Sequence, residues 1–179
     1  QRMINEKGGW QSHLINSQGY IKDHLKTNSS KSINILGSGW LFDVPIHDII
    51  RQFDKVIFTD IYHPKQIVNK YSANENIEFK TVDLTYGAVD LAYATNKRNF
   101  DFEKFIDTIK NIRPTSYNED LVVSINLLSQ LSIFIVDYLS KKITLNNDQI
   151  VELTSTIQLN HLKSLPQNKS ILITDYEEE

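Results

Sequence analysis

The sequence predicts an α/β fold: a doubly wound parallel sheet in the order 3-2-1-4-5, with helices on both faces. Three observations carry this. Short apolar runs rich in β-branched residues recur at 32–36, 55–59, 77–82, 120–125 and 170–174. Segments with apolar residues at helical spacing separate most of them, the alternation expected of βαβ units with right-handed crossovers. Each run ends on a glycine, a carboxylate or a small polar residue, at the end of the strand where open parallel sheets bind ligands.

Taken in order, residues 1–30 read as an N-terminal helical segment packed on a single domain of residues 31–179. Trp10, Leu14, Ile15, Tyr20, Ile21 and Leu25 are spaced close to a helical period, and Gly19 is a potential break. Ser32–Leu36 is the first strand, ending on Gly37-Ser38-Gly39. Asp43-Val44-Pro45 reads as a helix start, because proline suits a first turn whose N–H has no partner. That helix runs from about Ile46 to Phe53. The second strand, Lys55–Thr59, ends at Asp60. The third, Ile77–Val82, ends at Asp83, after which Leu84–Gly87 reads as a turn. Phe102, Phe105, Ile106, Ile109 and Ile112 mark a helix that stops at Arg113-Pro114. Asp120–Ile125 is a buried strand, followed by helices from Gln130 to about Lys141 and from about Asp148 to Ser164. Ser170–Thr174 is the fifth strand.

Composition bounds the function. The chain has 179 residues, 40% of them hydrophobic, which is enough for one domain with a real core. A net charge of -3 leaves no basic excess to neutralise a nucleic-acid backbone. With no cysteine, disulfides, thiolate nucleophiles and cysteine zinc sites are excluded, and a cytoplasmic location fits. No apolar run approaches the ~18 residues of a membrane span. The five histidines are too dispersed for a metal spacing, so no metal is expected. An opening on Gln1 suggests that a natural start precedes it.

The strand ends form a nucleoside-binding pattern. Gly37 and Gly39 allow a tight turn and close approach to bare backbone. Asp60 stands where a carboxylate accepts two hydrogen bonds from a ribose cis-diol. Asp83 is placed to accept from an exocyclic amine such as that of adenine, or else to close its own turn. A dinucleotide fingerprint would have a third glycine at Phe42, so a pyrophosphate site is disfavoured.

These residues resemble motifs I to III of class I S-adenosylmethionine-dependent methyltransferases: Ile33-Asn-Ile-Leu-Gly-Ser-Gly39, Val56-Ile-Phe-Thr-Asp-Ile61 and Phe79-Lys-Thr-Val-Asp-Leu84. Leu36–Pro45, Thr59–Pro64, Asn126–Leu131 and Leu172–Glu177 look more narrowly like an uncharacterised bacterial methyltransferase-like group. The resemblance implies a Rossmann-like fold with S-adenosylmethionine as cofactor. Gly37, Ser38 and Gly39 would border its methionine part, Asp60 and Ile61 the ribose, and Asp83 and Leu84 the adenine. Asn126 would face the methyl donor. The chain departs from motif I at two positions: Ile35 replaces the usual acid and Leu41 the third glycine. The C-terminal hairpin of that fold has no residues after 170–174 to build it. The fifth strand is therefore expected to be an exposed edge, or to be covered by a second copy.

Methyl transfer needs positioning and, for some acceptors, a base. Asn126 and His63 are the candidates for chemistry, each with a plainer reading as a strand-end residue and a loop histidine. Asp43 either caps the following helix or reaches a substrate amine. Asp175 and Tyr176 are candidates to line an acceptor pocket, with Trp10, Tyr20 and Trp40 as its apolar wall. No Asn-Pro-Pro-Tyr stands in the chain to stack a planar acceptor. The function expected is methyl transfer to a small molecule. A non-catalytic nucleoside-binding module is the alternative, and a nicotinamide-dependent oxidoreductase is a weaker third.

Overall fold

The computed structural model of the chain describes residues 11–26 and 29–174. Helix α1 (Gln11–Leu25) precedes β1 (Ser32–Leu36), α2 (Ile46–Gln52), β2 (Lys55–Asp60), α3 (Lys65–Tyr71) and β3 (Ile77–Thr81). Then come α4 (Ala88–Ala94), a 3-10 turn (Lys97–Asn99), α5 (Phe102–Lys110), β4 (Leu121–Ile125), α6 (Ile133–Lys142), α7 (Asn147–Ser164) and β5 (Ser170–Ile173). The five strands form one sheet in the order β3-β2-β1-β4-β5. Every pairing is parallel, with Leu36 opposite Thr59 and Ile35 opposite Val123. The chain therefore reverses its direction of winding between β1 and β4, and this opens a crevice at their C-terminal ends.

Two apolar layers cover the sheet, which is why its central strands read as continuous hydrophobic runs. On one face, Ile21 and Leu25 of α1, Ile49 of α2 and Tyr71 of α3 pack on Ile33, Ile35 and Phe58. On the other, Ile106 and Ile109 of α5, Leu139 of α6, and Leu153 and Ile157 of α7 pack on Leu36 and Val122. Helix α1 is fixed further by Gln18 Nε2 donating to the Phe42 carbonyl (2.7 Å) and by the Lys22–Asp48 ion pair (3.1 Å). The start of β1 is held against β4 by Asp120, whose carboxylate accepts from the N–H groups of Lys31 and Ser32 and from the Ser32 hydroxyl.

Several local expectations are corrected. Helix α1 continues through Gly19, where open space surrounds the Cα and no tertiary contact exploits the missing side chain. Helices α3 and α4 stand where the sequence shows no helix; each is seven residues long, too short to display a helical period. Helix α6 begins at Ile133 rather than Gln130, because turns closed onto the Leu127 carbonyl occupy the preceding residues. Asp43 does not cap α2: the cap position is Pro45 and no side chain bonds there.

The two sheet edges differ. β3 carries Glu78 and Lys80, paired at 3.6 Å, the kind of charged edge that discourages strand addition. β5 is the opposite edge and has no charged residue.

Candidate functional site

The turn after β1 is built on left-handed backbone. Gly37 has φ +79°, Gly39 +38° and Leu41 +59°. At Gly37 the requirement is absolute, since a Cβ would stand 2.8 Å from the Ile125 carbonyl oxygen of the neighbouring strand. Gly37 N–H donates to the Thr59 carbonyl (2.9 Å), which seats the turn on β2. Leu41, where motif I has its third glycine, keeps the positive φ despite its side chain, which is buried in the core. That conformation costs a non-glycine residue about 1–2 kcal/mol. Across the crevice Asn126 also has a positive φ, +49°. Positive φ at a non-glycine residue thus occurs on both loops of the crevice, and also at Tyr86 and Asn168 outside it.

Asp60 ends β2 against this turn. Its Oδ2 accepts from the Gly39 N–H at 2.8 Å and its Oδ1 from the Tyr62 N–H at 3.2 Å. A Cβ on Gly39 would lie 3.5 Å from Oδ2, so turn and carboxylate share one surface. An ionised carboxylate offers about four lone-pair positions, and these two bonds leave both oxygens able to accept again. Ile61 and Tyr62 follow as exposed side chains.

Asp83 is held differently. Its Oδ1 accepts from the Thr85 N–H (2.8 Å) and the Thr85 hydroxyl (2.7 Å), and its Oδ2 from the Gly87 N–H (2.9 Å). The carboxylate closes the turn leading into α4, so the plainer of its two sequence readings describes its geometry. Leu84, expected beside the cofactor, is 4% exposed and lies in the core beneath α4 and α5. His63 meets β3: its Nε2 bonds the Lys80 carbonyl (3.1 Å) and its ring stands edge-on to Phe79. Three strand spacings, about 14 Å, separate β3 from β4. The structure does not bring His63 to Asn126.

Asn126 and Asp43 do meet. Asn126 Nδ2 donates to Asp43 Oδ2 at 2.7 Å and spans the crevice. Burial pushes the Asp43 carboxyl above its ordinary range, and the bond from Asn126 only partly offsets this. His13 of α1 lies close enough for its charge to act on Asp43. Two further polar atoms here are buried with no hydrogen-bond partner, Asn126 Oδ1 and the Ser38 hydroxyl, and Ser38 is only 1% exposed. On the chain between Ser38 and Asp43, Trp40 and Phe42 stack in parallel planes 5.8 Å apart, each about half exposed. Tyr20 is also half exposed, with its ring against that of His24. Trp10, Asp175 and Tyr176 lie outside the described residues.

Sequence reading missed His13, because 30 residues separate it from Asp43 and only the packing of α1 joins them. It also missed a buried network below the sheet. Ser124 Oγ bonds His161 Nε2 (2.8 Å), and Tyr86 donates to Ser164 Oγ (2.7 Å), which donates in turn to the His161 carbonyl (2.6 Å). Ser124 and His161 are fully buried, so this serine–histidine pair meets no substrate. Burial without a charged partner pushes His161 down to about 4, which keeps the imidazole neutral.

A groove of about 560 Å³ lies between α2 and α3, lined by His47, Arg51, Lys70 and Tyr71. It is on the flank of the sheet and does not touch the glycine turn. Its arginine is already engaged by Asp48 and the His47 carbonyl. Among the described residues no group of histidines and carboxylates is arranged to hold a metal ion, and no helix is long and apolar enough to cross a membrane. No family model, curated protein or solved structure matches this chain.

Proposed function

We propose that this chain is a S-adenosylmethionine-dependent methyltransferase acting on a small molecule. The observation that carries the reading is the joint surface of the Gly37–Gly39 turn and Asp60 at the end of β2, beside the point where the winding of the sheet reverses. A carboxylate with accepting capacity on both oxygens, next to a turn stripped of side chains, fits a ribose diol and the chain of atoms attached to it. The turn has no cationic side chain, which suits a cofactor without phosphate better than a dinucleotide. When bound, S-adenosylmethionine supplies a methyl carbon activated by a sulfonium. The chain's residues then have to bind and orient: Asp60 the ribose, the backbone of 37–39 the methionine part, and Asn126 with Asp43 the acceptor side of the crevice. Asp83 is left out of this set because its own turn engages it.

That same engagement of Asp83, together with Ile35 in place of an acid, favours the second reading, a nucleoside-binding module without catalysis. Titration calorimetry with S-adenosylmethionine, S-adenosylhomocysteine and NAD side by side separates the possibilities. Micromolar binding of the first two and none of NAD is the expected result. Heat from NAD alone, or from none of the three at millimolar concentration, would overturn the proposal.

A further inference from the structure

We propose that the groove between α2 and α3 binds a phosphate monoester with an organic body, at a site separate from the crevice. Helices α2 and α3 each end a few residues ahead of the strand they lead into, β2 and β3. The groove therefore lies toward the N-terminal edge of the sheet, away from the glycine turn. Its lining brings His47, Ile50 and Arg51 of α2 together with Lys70 and Tyr71 of α3 and Asn74 just beyond. Arg51 and Lys70 are both cations and no carboxylate is in that lining, although the chain as a whole has a net charge of -3.

Arg51 is held as a fork with one side open. Its Nε donates to the His47 carbonyl and its Nη2 to Asp48 Oδ1, each at 3.0 Å. A guanidinium has five N–H donors, so three remain, two of them on Nη1. Asp48 does not cancel this charge alone, because its other oxygen pairs with Lys22 Nζ at 3.1 Å and two cations share one acid. Lys70 Nζ rests 5.0 Å from the centroid of the Tyr71 ring, and among the described residues no carboxylate pairs with it. A phosphate monoester carries close to two negative charges and three strong acceptor oxygens at neutral pH, which matches a guanidinium and an ammonium on one concavity. A carboxylate would leave one of the two cations unmatched. The volume of about 560 Å³ is that of a small-molecule site and exceeds a bare phosphate, with Ile50 and Tyr71 as the apolar part of the wall. Arg51 and Lys70 also stand in the last turns of their helices, where a cation complements the helix dipole. That duty requires no shared cavity and no ligand, so binding separates the two.

The test is a titration of isotope-labelled protein with phenyl phosphate at neutral pH, followed by amide shifts. Inorganic phosphate and phenol are titrated separately as the two halves of the probe. Phenyl phosphate should saturate at millimolar concentration or below, with shifts centred on residues 47–51 and 70–74. It should bind at least ~10-fold more tightly than either half. Arg51→Gln and Lys70→Gln should each weaken it about 10-fold, and both residues are exposed, so the fold is not at risk. Lys163→Gln removes the same charge from an exposed position on α7, across the sheet, and should leave the affinity nearly unchanged. Equal weakening by Lys163→Gln would reduce the binding to overall charge and overturn the proposal. Shifts centred on the glycine turn would overturn it, as would phenol or inorganic phosphate binding as tightly as phenyl phosphate. No saturation at millimolar concentration would also overturn it and leave Arg51 and Lys70 as partners of their helix ends. None of these outcomes touches the methyltransferase reading, which is tested at the crevice.

Discussion

Asp60 and Asp83 show how two identical side chains at equivalent strand ends are given different duties by their neighbours. Asp60 accepts one N–H on each oxygen and keeps spare capacity. Asp83 accepts two N–H groups and a hydroxyl from the four residues that follow it. Exchanging each for asparagine should therefore separate them by ligand affinity. Asp60→Asn replaces one accepting oxygen by a donor facing the diol. It should cost about 2–3 kcal/mol, some 30- to 150-fold, in S-adenosylhomocysteine affinity by calorimetry, and about 1 kcal/mol of stability, because the amide nitrogen then faces the Gly39 or Tyr62 N–H. Asp83→Asn should destabilise the fold by about 1–2 kcal/mol in urea, as expected for a lost carboxylate cap, and leave affinity nearly intact. Parallel losses in both variants would mean that neither assignment is right.

At the scale of elements, the glycines divide by what surrounds them. Gly19 sits within α1 with nothing in reach of a Cβ, so only its backbone freedom distinguishes it from alanine. Gly19→Ala should stabilise the protein by about 0.5–1 kcal/mol and raise the melting temperature by a few degrees. Gly37→Ala has to hold an alanine at φ +79° with its methyl 2.8 Å from a strand carbonyl. It should destabilise by more than about 2 kcal/mol, because the left-handed penalty and the displacement of β4 add. Urea melts of the two variants check both signs. A neutral Gly37→Ala would mean that the turn is free to move off β4, and the close approach to the Ile125 carbonyl would not constrain it.

For the whole molecule, His161 couples stability to pH. It joins α7 to β4 through Ser124 and lies beneath the turn that carries Tyr86. Its ordinary value is 6.5, and burial pushes it down to about 4. Between these two pH values the unfolded chain binds a proton that the folded one refuses, so stability falls as the pH is lowered through that window and is complete above it. Lowering the pH from 7.5 to 4.5 should remove about 2–3 kcal/mol through this group. Asp43, raised by burial, works in the opposite direction over acidic pH, so the comparison must be internal. Urea unfolding of wild type and of His161→Gln at both pH values isolates the contribution. An equal pH dependence in the two proteins would remove His161 from this role.

What the sequence determined by itself was what depends on local pattern. The β-branched runs specified five strands in α/β alternation, whereas the order 3-2-1-4-5 is not written in them, because right-handed crossovers permit other doubly wound orders as well. Gly37 was legible because a strand followed by Gly-x-Gly announces a turn, and Asp60 because it closes the next strand. The short helices α3 and α4 were not legible, since two turns of helix carry too few apolar positions to show a period. Neither were the partners of the polar side chains. Asp43 reads as a cap for a helix two residues away, yet its bond goes to Asn126, 83 residues on. His13 comes within electrostatic range of Asp43 only because Ile21 and Leu25 seat α1 on the sheet. Hydrophobic period is written along the chain, because burial needs only a face. A hydrogen bond needs one particular atom at one distance, and that is decided only when the two loops of the crevice are brought together.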